Sequence, residues 1–140
     1  MAWQGVLAIG EHVFLNAFIN ESATITENAG VDLELPAHKA VAYDPDGNVV
    51  FAEDGETAIG IVLSPSIDPI VAGKRVEILI KYIGLLEISE ELLKGDFVTI
   101  GAGGVGKKAA SGDFIFGRAF THSMPGECVQ VQINQAGYMA

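Results

Sequence analysis

The segment Gly101-Ala102-Gly103-Gly104-Val105-Gly106-Lys107 has the spacing of a phosphate-binding loop up to its lysine, and it follows a run that reads as a strand. Such a loop cradles phosphate with backbone N–H groups and needs a Ser or Thr after the lysine to hold magnesium. That position is Lys108, and Ala109-Ala110-Ser111-Gly112 is too short and glycine-bound to form the helix whose N-terminus would hold the phosphate. Asp44, Asp46 and Asn48, with Glu53, Asp54 and Glu56 nearby, have the chemistry of a calcium site. An EF-hand loop, however, requires its glycine sixth, and here Gly47 comes fourth, between strand-like rather than helical flanks. His12, His38 and His122 are scattered without metal-ligand spacing. Cys128 is the sole cysteine and no His or Asp accompanies it in sequence, so it reads as a partly exposed, inert thiol. A pair of carboxylates for glycoside hydrolysis depends on separation in space, which sequence does not give. The expectation is a protein with no catalytic residues, no cofactor and no metal.

The elements around these residues repeat. Residues 33–80 and 86–133 read as two copies of one 48-residue pattern. Copy one starts Leu33-Glu34-Leu35, passes Val41, Gly47, Ala52, Gly55 and Gly60, and closes on Gly73, Val76, Ile78 and Ile80. Copy two starts Leu86-Glu87-Ile88, passes Val98, Gly104, Ala109, Gly112 and Gly117, and closes on Gly126, Val129, Val131 and Ile133. The shared positions are glycines, which admit turns of positive φ, and alternating apolar residues, which fill one face of a strand. No nucleophile, base or metal ligand is duplicated with them. In this alignment the glycine-rich loop takes the place of Asp44-Pro45-Asp46-Gly47-Asn48, a hairpin turn between Ala40–Tyr43 and Val49–Ala52. Thr57–Leu63 and Lys74–Ile83 alternate as further strands, and copy two repeats them in Phe114–Thr121 and Glu127–Asn134. Ser89-Glu90-Glu91-Leu92-Leu93-Lys94-Gly95 is the one helical candidate, capped by Ser89 and ended by Gly95. The fold class is therefore mostly β, with an internal duplication and one short helix.

Each copy is near the size below which a core does not stabilise itself, so the two are expected to share one, in a β domain covering residues 33–140. With 49% hydrophobic and only 19% charged residues, the chain carries more apolar surface than a small monomer hides, which favours self-association. A net charge of -10 with eight Lys plus Arg removes the electrostatic footprint of nucleic-acid binding and disfavours anionic membranes. No apolar run approaches a membrane span and the N-terminus lacks the pattern of a signal peptide, so synthesis in a cytoplasm is expected. Residues 1–32 lie outside the repeat. Their apolar residues, Trp3, Val6, Leu7, Ile9, Phe14 and Phe18 among them, follow neither clean helical nor clean strand spacing. This segment is either a contact arm or an extra core strand.

Leu86-Glu87-Ile88, then Lys94-Gly95-Asp96-Phe97-Val98, a glycine turn, Ile115-Phe116-Gly117-Arg118-Ala119, and Val129-Gln130-Val131-Gln132-Ile133-Asn134 together resemble the head decoration proteins of tailed bacteriophages, also called capsid cement or stabilisation proteins. The resemblance covers about residues 33–134. The Ser64–Gly73 connection and the first 32 residues depart from the family pattern. The resemblance implies a small barrel of β-clip or β-tulip type, assembled as a homotrimer on the exterior of an expanded icosahedral head. There it would bind the major capsid protein, bridge its subunits and stabilise the capsid of the virion without performing a reaction. Trp3, Val6, Leu7, Ile9, Phe14 and Phe18 would then make capsid or oligomer contacts. Two rivals stand beside this reading: the trimeric base of a head fibre or host-adhesion protein, and an enzyme, since β-clip relatives include nucleotide hydrolases.

Overall fold

A computed structural model describes residues 22–64 and 68–140. Ten short strands alternate with tight turns: β1 (Thr24–Asn28), β2 (Ala40–Tyr43), β3 (Val49–Phe51), β4 (Gly60–Val62), β5 (Arg75–Leu79), β6 (Tyr82–Glu87), β7 (Phe97–Ile100), β8 (Gly106–Lys108), β9 (Gly117–Ala119) and β10 (Cys128–Ile133). They form two antiparallel five-stranded sheets, ordered β1-β5-β4-β2-β3 and β6-β10-β9-β7-β8. Adding five to each strand number turns the first order into the second, so the chain is mostly β and built twice over.

Neither sheet closes into a barrel, but each curls towards closure. Just after β1, Ala29 makes a parallel bridge to Val49 at the far edge of its sheet, and just after β6, Ile88 makes the same bridge to Gly106. From Val41 onward the sheet registers pair the residues that the sequence pairs: Val41 bonds opposite Gly60, and Val98 opposite Gly117. The openings of the copies correspond differently. Leu33 bridges Ile70 and Leu92 bridges Ser123, so Leu33 answers to Leu92 rather than to Leu86. Leu86, opposite Val129, answers to Glu27, opposite Val76. The unit that repeats therefore includes β1, whose polar sequence hides its kinship with β6.

Two sequence expectations are corrected. Ser89–Gly95 is not helical. Leu92 is fully buried and exchanges backbone hydrogen bonds of 3.0 Å with Ser123, while the Ser89 hydroxyl donates to Gly106 O at 3.3 Å instead of capping a helix. Burial of one leucine and a β bridge outweigh a weak local propensity. The single helical element among the described residues is a 3₁₀ turn at Ala102–Gly104, inside the glycine-rich loop. Likewise Lys74–Ile83 is not one strand. The chain breaks at Ile80-Lys81, and Tyr82 takes a φ of 71°, delivering β6 to the second sheet.

The core has two parts. Ala29, Leu33, Val41, Val49, Val62, Val76 and Ile78 pack within the first copy. The larger cluster joins the second copy's Leu86, Ile88, Leu92, Val98, Ile100, Phe116, Val129 and Val131 to Ala40, Ala42, Ala52, Ala58 and Ile61 of the first. Strand β2 is thus buried on both faces, Val41 inward and Ala40 and Ala42 against the second copy. That doubled burial fuses the copies into one core.

Candidate functional site

The chemistry-bearing residues resolve into turns. Gly101 to Gly106 closes a hairpin between β7 and β8, with the Gly101 N–H donating to Val105 O at 2.8 Å, just as the Asp44 N–H donates to Asn48 O at 2.8 Å in the first copy. An extended strand, not a helix, follows it. Lys107 Nζ lies 2.8 Å from Asp54 Oδ1, and this partner holds the ammonium pKa above its ordinary value. Asp44 Oδ1 accepts the N–H groups of Asp46 and Asn48 at 2.9 and 3.0 Å, committing it to its own turn. His122 Nε2 lies 2.7 Å from Glu91 Oε2 at the surface, and His38 holds a turn at a φ of 66°. Among the described residues no group of three or more His, Cys, Asp or Glu side chains is placed to hold a metal. Burial first, and the Glu87 charge second, push the Cys128 thiol up, away from the reactive thiolate.

Several carboxylates share one architectural task that the sequence reading did not find. In Glu53-Asp54-Gly55-Glu56, Leu93-Lys94-Gly95-Asp96, Ala110-Ser111-Gly112-Asp113 and Met124-Pro125-Gly126-Glu127 the third residue is a glycine with φ between 86° and 90°. The fourth donates its N–H to the first residue's carbonyl and accepts that residue's N–H on its carboxylate, at 2.8, 2.9, 2.8 and 2.7 Å respectively. Among the described residues, each acid following a glycine is thereby a turn clasp.

On the outer face of the second sheet the registers line up Ile83, Gln132, Arg118 and Phe97 across four strands. The corresponding row of the first sheet is Thr24, Leu79, Ile61 and Ala40. That first row lies against the second copy, with Ala40 and Ile61 0% and 1% exposed, whereas Ile83 and Phe97 are 48% and 39% exposed. Arg118 sits 5.5 Å from the Phe97 ring centroid, and its Nε donates to Gly95 O at 3.2 Å. Lys94, Gly95, Arg118, Phe120 and Gln132 line an open groove there. Tyr82, Leu85, Leu93 and Met124 add further exposed apolar surface on the second copy. A mixed aromatic, aliphatic and arginine surface of this kind has the composition found in protein contacts.

Trp3, Val6, Leu7, Ile9, Phe14 and Phe18, the contact residues expected from the sequence, lie outside the described residues, as does His12. No helix among the described residues is long and apolar enough to cross a membrane.

No family model matches the chain, and no curated protein does. A solved structure shares its fold: the crystal structure of the head fibre gp8.5 N base of bacteriophage phi29, with a TM-score of 0.64 and 16% identity, covering 84% of this chain and 98% of that one.

Proposed function

We propose that this protein is a structural component of a phage head. In this reading it binds the exterior of the expanded shell as an oligomer, a homotrimer by the resemblance, and bridges subunits of the major capsid protein. The observation that carries the proposal is the fold shared with a head fibre base across nearly the whole of that domain. The side-chain inventory is in keeping with it: the acids described above clasp turns, and Ile83, Leu85 and Phe97 leave exposed apolar surface on one sheet face. Packaged DNA pushes shell subunits apart, and a protein spanning their seams adds contact that separation must break. An oligomer engages several equivalent seams at once, which multiplies a weak individual affinity. No reaction and no cofactor are assigned to it.

The purified full chain is expected to co-sediment with expanded empty heads and not with unexpanded ones, and to raise the temperature at which heads rupture. Deleting residues 2–10 is expected to abolish that binding if the N-terminal segment is the capsid arm. Failure of the full chain to bind expanded heads overturns the reading. The phi29 neighbour favours a second reading, in which this domain is the base of a fibre. Binding to isolated bacterial envelopes without binding to heads would select a host-adhesion role instead.

A further inference from the structure

The contact between the two copies is one-sided. The first copy contributes His38, Ala40, Ala42, Ala52, Asp54, Ala58 and Ile61, and the second contributes Gly84, Leu86, Glu87, Ile100, Gly104 and Lys107. The Glu87 N–H donates to His38 O at 2.8 Å, and the Gly104 N–H to Ala52 O at 2.7 Å. A side chain on Gly84 would meet Leu79 Cδ2 at 2.4 Å and Ile61 Cδ1 at 3.4 Å, and one on Gly104 would meet Ala40 O at 2.3 Å, so both glycines mark close approach.

Translated through the sheet registers, the second copy's contact residues correspond to Ile25, Glu27, Asn28, Tyr43, Gly47 and Val50. None of these belongs to the set that the first copy uses. The contact is therefore head to tail, and each chain leaves one head and the Gly95, Phe97 and Arg118 end of one tail without their internal partner, Thr99, Ala109 and Ile115 being buried within the chain. The free tail is the row containing Phe97 and Arg118, with Gly95 in the place of His38. The free head contains Glu27, Asn28, Tyr43 and Gly47. Gly47 is left open where Gly104 is filled, since nothing lies within 4 Å of a side chain placed there.

We propose that copies of this chain join through these two ends, repeating between chains the contact that already joins the halves within one. The occupant of the groove at Gly95, Arg118 and Gln132 is β1 of a second copy, and the Asn28 N–H faces Gly95 O as Glu87 faces His38. Charge supports the pairing. Arg118 takes the place of Ile61, and Glu27 that of Leu86, so an apolar contact inside the chain becomes an arginine–glutamate contact between chains. Aromatic Phe97 and Tyr43 replace Ala40 and Ile100, the change expected when an interior contact becomes a subunit interface. The joint rests on the register of the sheets and not on what the oligomer binds. An assembly that forms this way yet ignores phage heads would sink the proposed function and leave the joint standing.

The test is the mass of the full chain in solution. The native chain is expected to form one finite oligomer. Arg118→Glu and Glu27→Arg, each confirmed as folded by circular dichroism, are expected to fall to monomer, and the double variant to regain the native mass. Native mass in both single variants, or a double variant that stays monomeric, overturns the proposal. A second measurement avoids substitution. Carbodiimide cross-linking of mixed light and isotope-labelled native protein is expected to join Lys94 of one chain to Glu27 of another, and a complete lack of inter-chain links at this pair also overturns it.

Discussion

Tyr43 shows how a single side chain reports on the first copy. Its hydroxyl donates to Glu27 Oε2 at 2.5 Å, and that hydrogen bond first, then burial and the glutamate's charge, raise the phenol pKa above its ordinary value. A raised phenol pKa means that the folded state favours the protonated ring. The stabilisation is complete below the unfolded value near 10 and is lost as pH climbs through the folded one. In a spectrophotometric titration of the phenolates, Glu27→Gln is expected to bring one tyrosine back towards the ordinary range, and an unchanged curve would refute the assignment. Among the residues singled out from the sequence, Lys107 and Asp44 found partners that account for them. Residue type exposed the glycine-rich loop as a hairpin because the missing Ser or Thr and the glycines after it are local facts. It did not expose the turn clasps, since a carboxylate bonding an amide three residues back looks in sequence like any surface acid.

At the level of elements, the glycine in the strands β4 and β9 is the strictest demand. A Cβ on Gly60 would lie 2.2 Å from Leu79 O, and one on Gly117 would lie 2.3 Å from Gln132 O, so both copies bring a backbone carbonyl to the same point. Because the obstacle is backbone, Gly117→Ala must displace β10 from β9. The expected loss is about 1–3 kcal/mol, as for overpacked cores, visible as a lower urea midpoint. A variant as stable as the native chain would show that the strands spread freely. Most strands were legible because alternation and glycine turns are short-range signals. The start of the repeat was not, because Thr24-Ile25-Thr26-Glu27-Asn28 shares a role with β6 but little chemistry. The supposed helix at Ser89–Gly95 failed for the complementary reason: its local signals suit a helix, while the bridge from Leu92 to Ser123 is set by residues far along the chain.

The whole molecule unfolds as one body if its core is truly joint. Ala40, Ala52 and Ile61 lie within the second copy's cluster, so melting the second sheet strips the outer face of the first. The bond from Gln135 Nε2 to Ala58 O at 2.9 Å ties the end of the second copy back to the first. The ion pair of Lys107 and Asp54 is exposed and adds at most about 1 kcal/mol, so the apolar contact carries the coupling. Circular dichroism and tyrosine fluorescence are expected to give one coincident urea transition, its midpoint rising with protein concentration if the chains associate. Two separate transitions would mean that the copies are independent. The face that distinguishes the ends of the molecule was the least legible feature, because Ile83, Gln132, Arg118 and Phe97 come from four strands and meet only through pairing.

The parallel bridges from Ala29 to Val49 and from Ile88 to Gly106 bear on life in a crowded cell. They claim a rung on β3 and β8, outer strands of only three residues each, and leave little open ladder at those two edges on which a stray polypeptide could zipper. Strand addition by a neighbouring chain is thereby confined to the opposite edges, β1 and β6. Side chains displayed on the curved sheet faces can then serve recognition, where a change of one residue retunes a partner without endangering the scaffold.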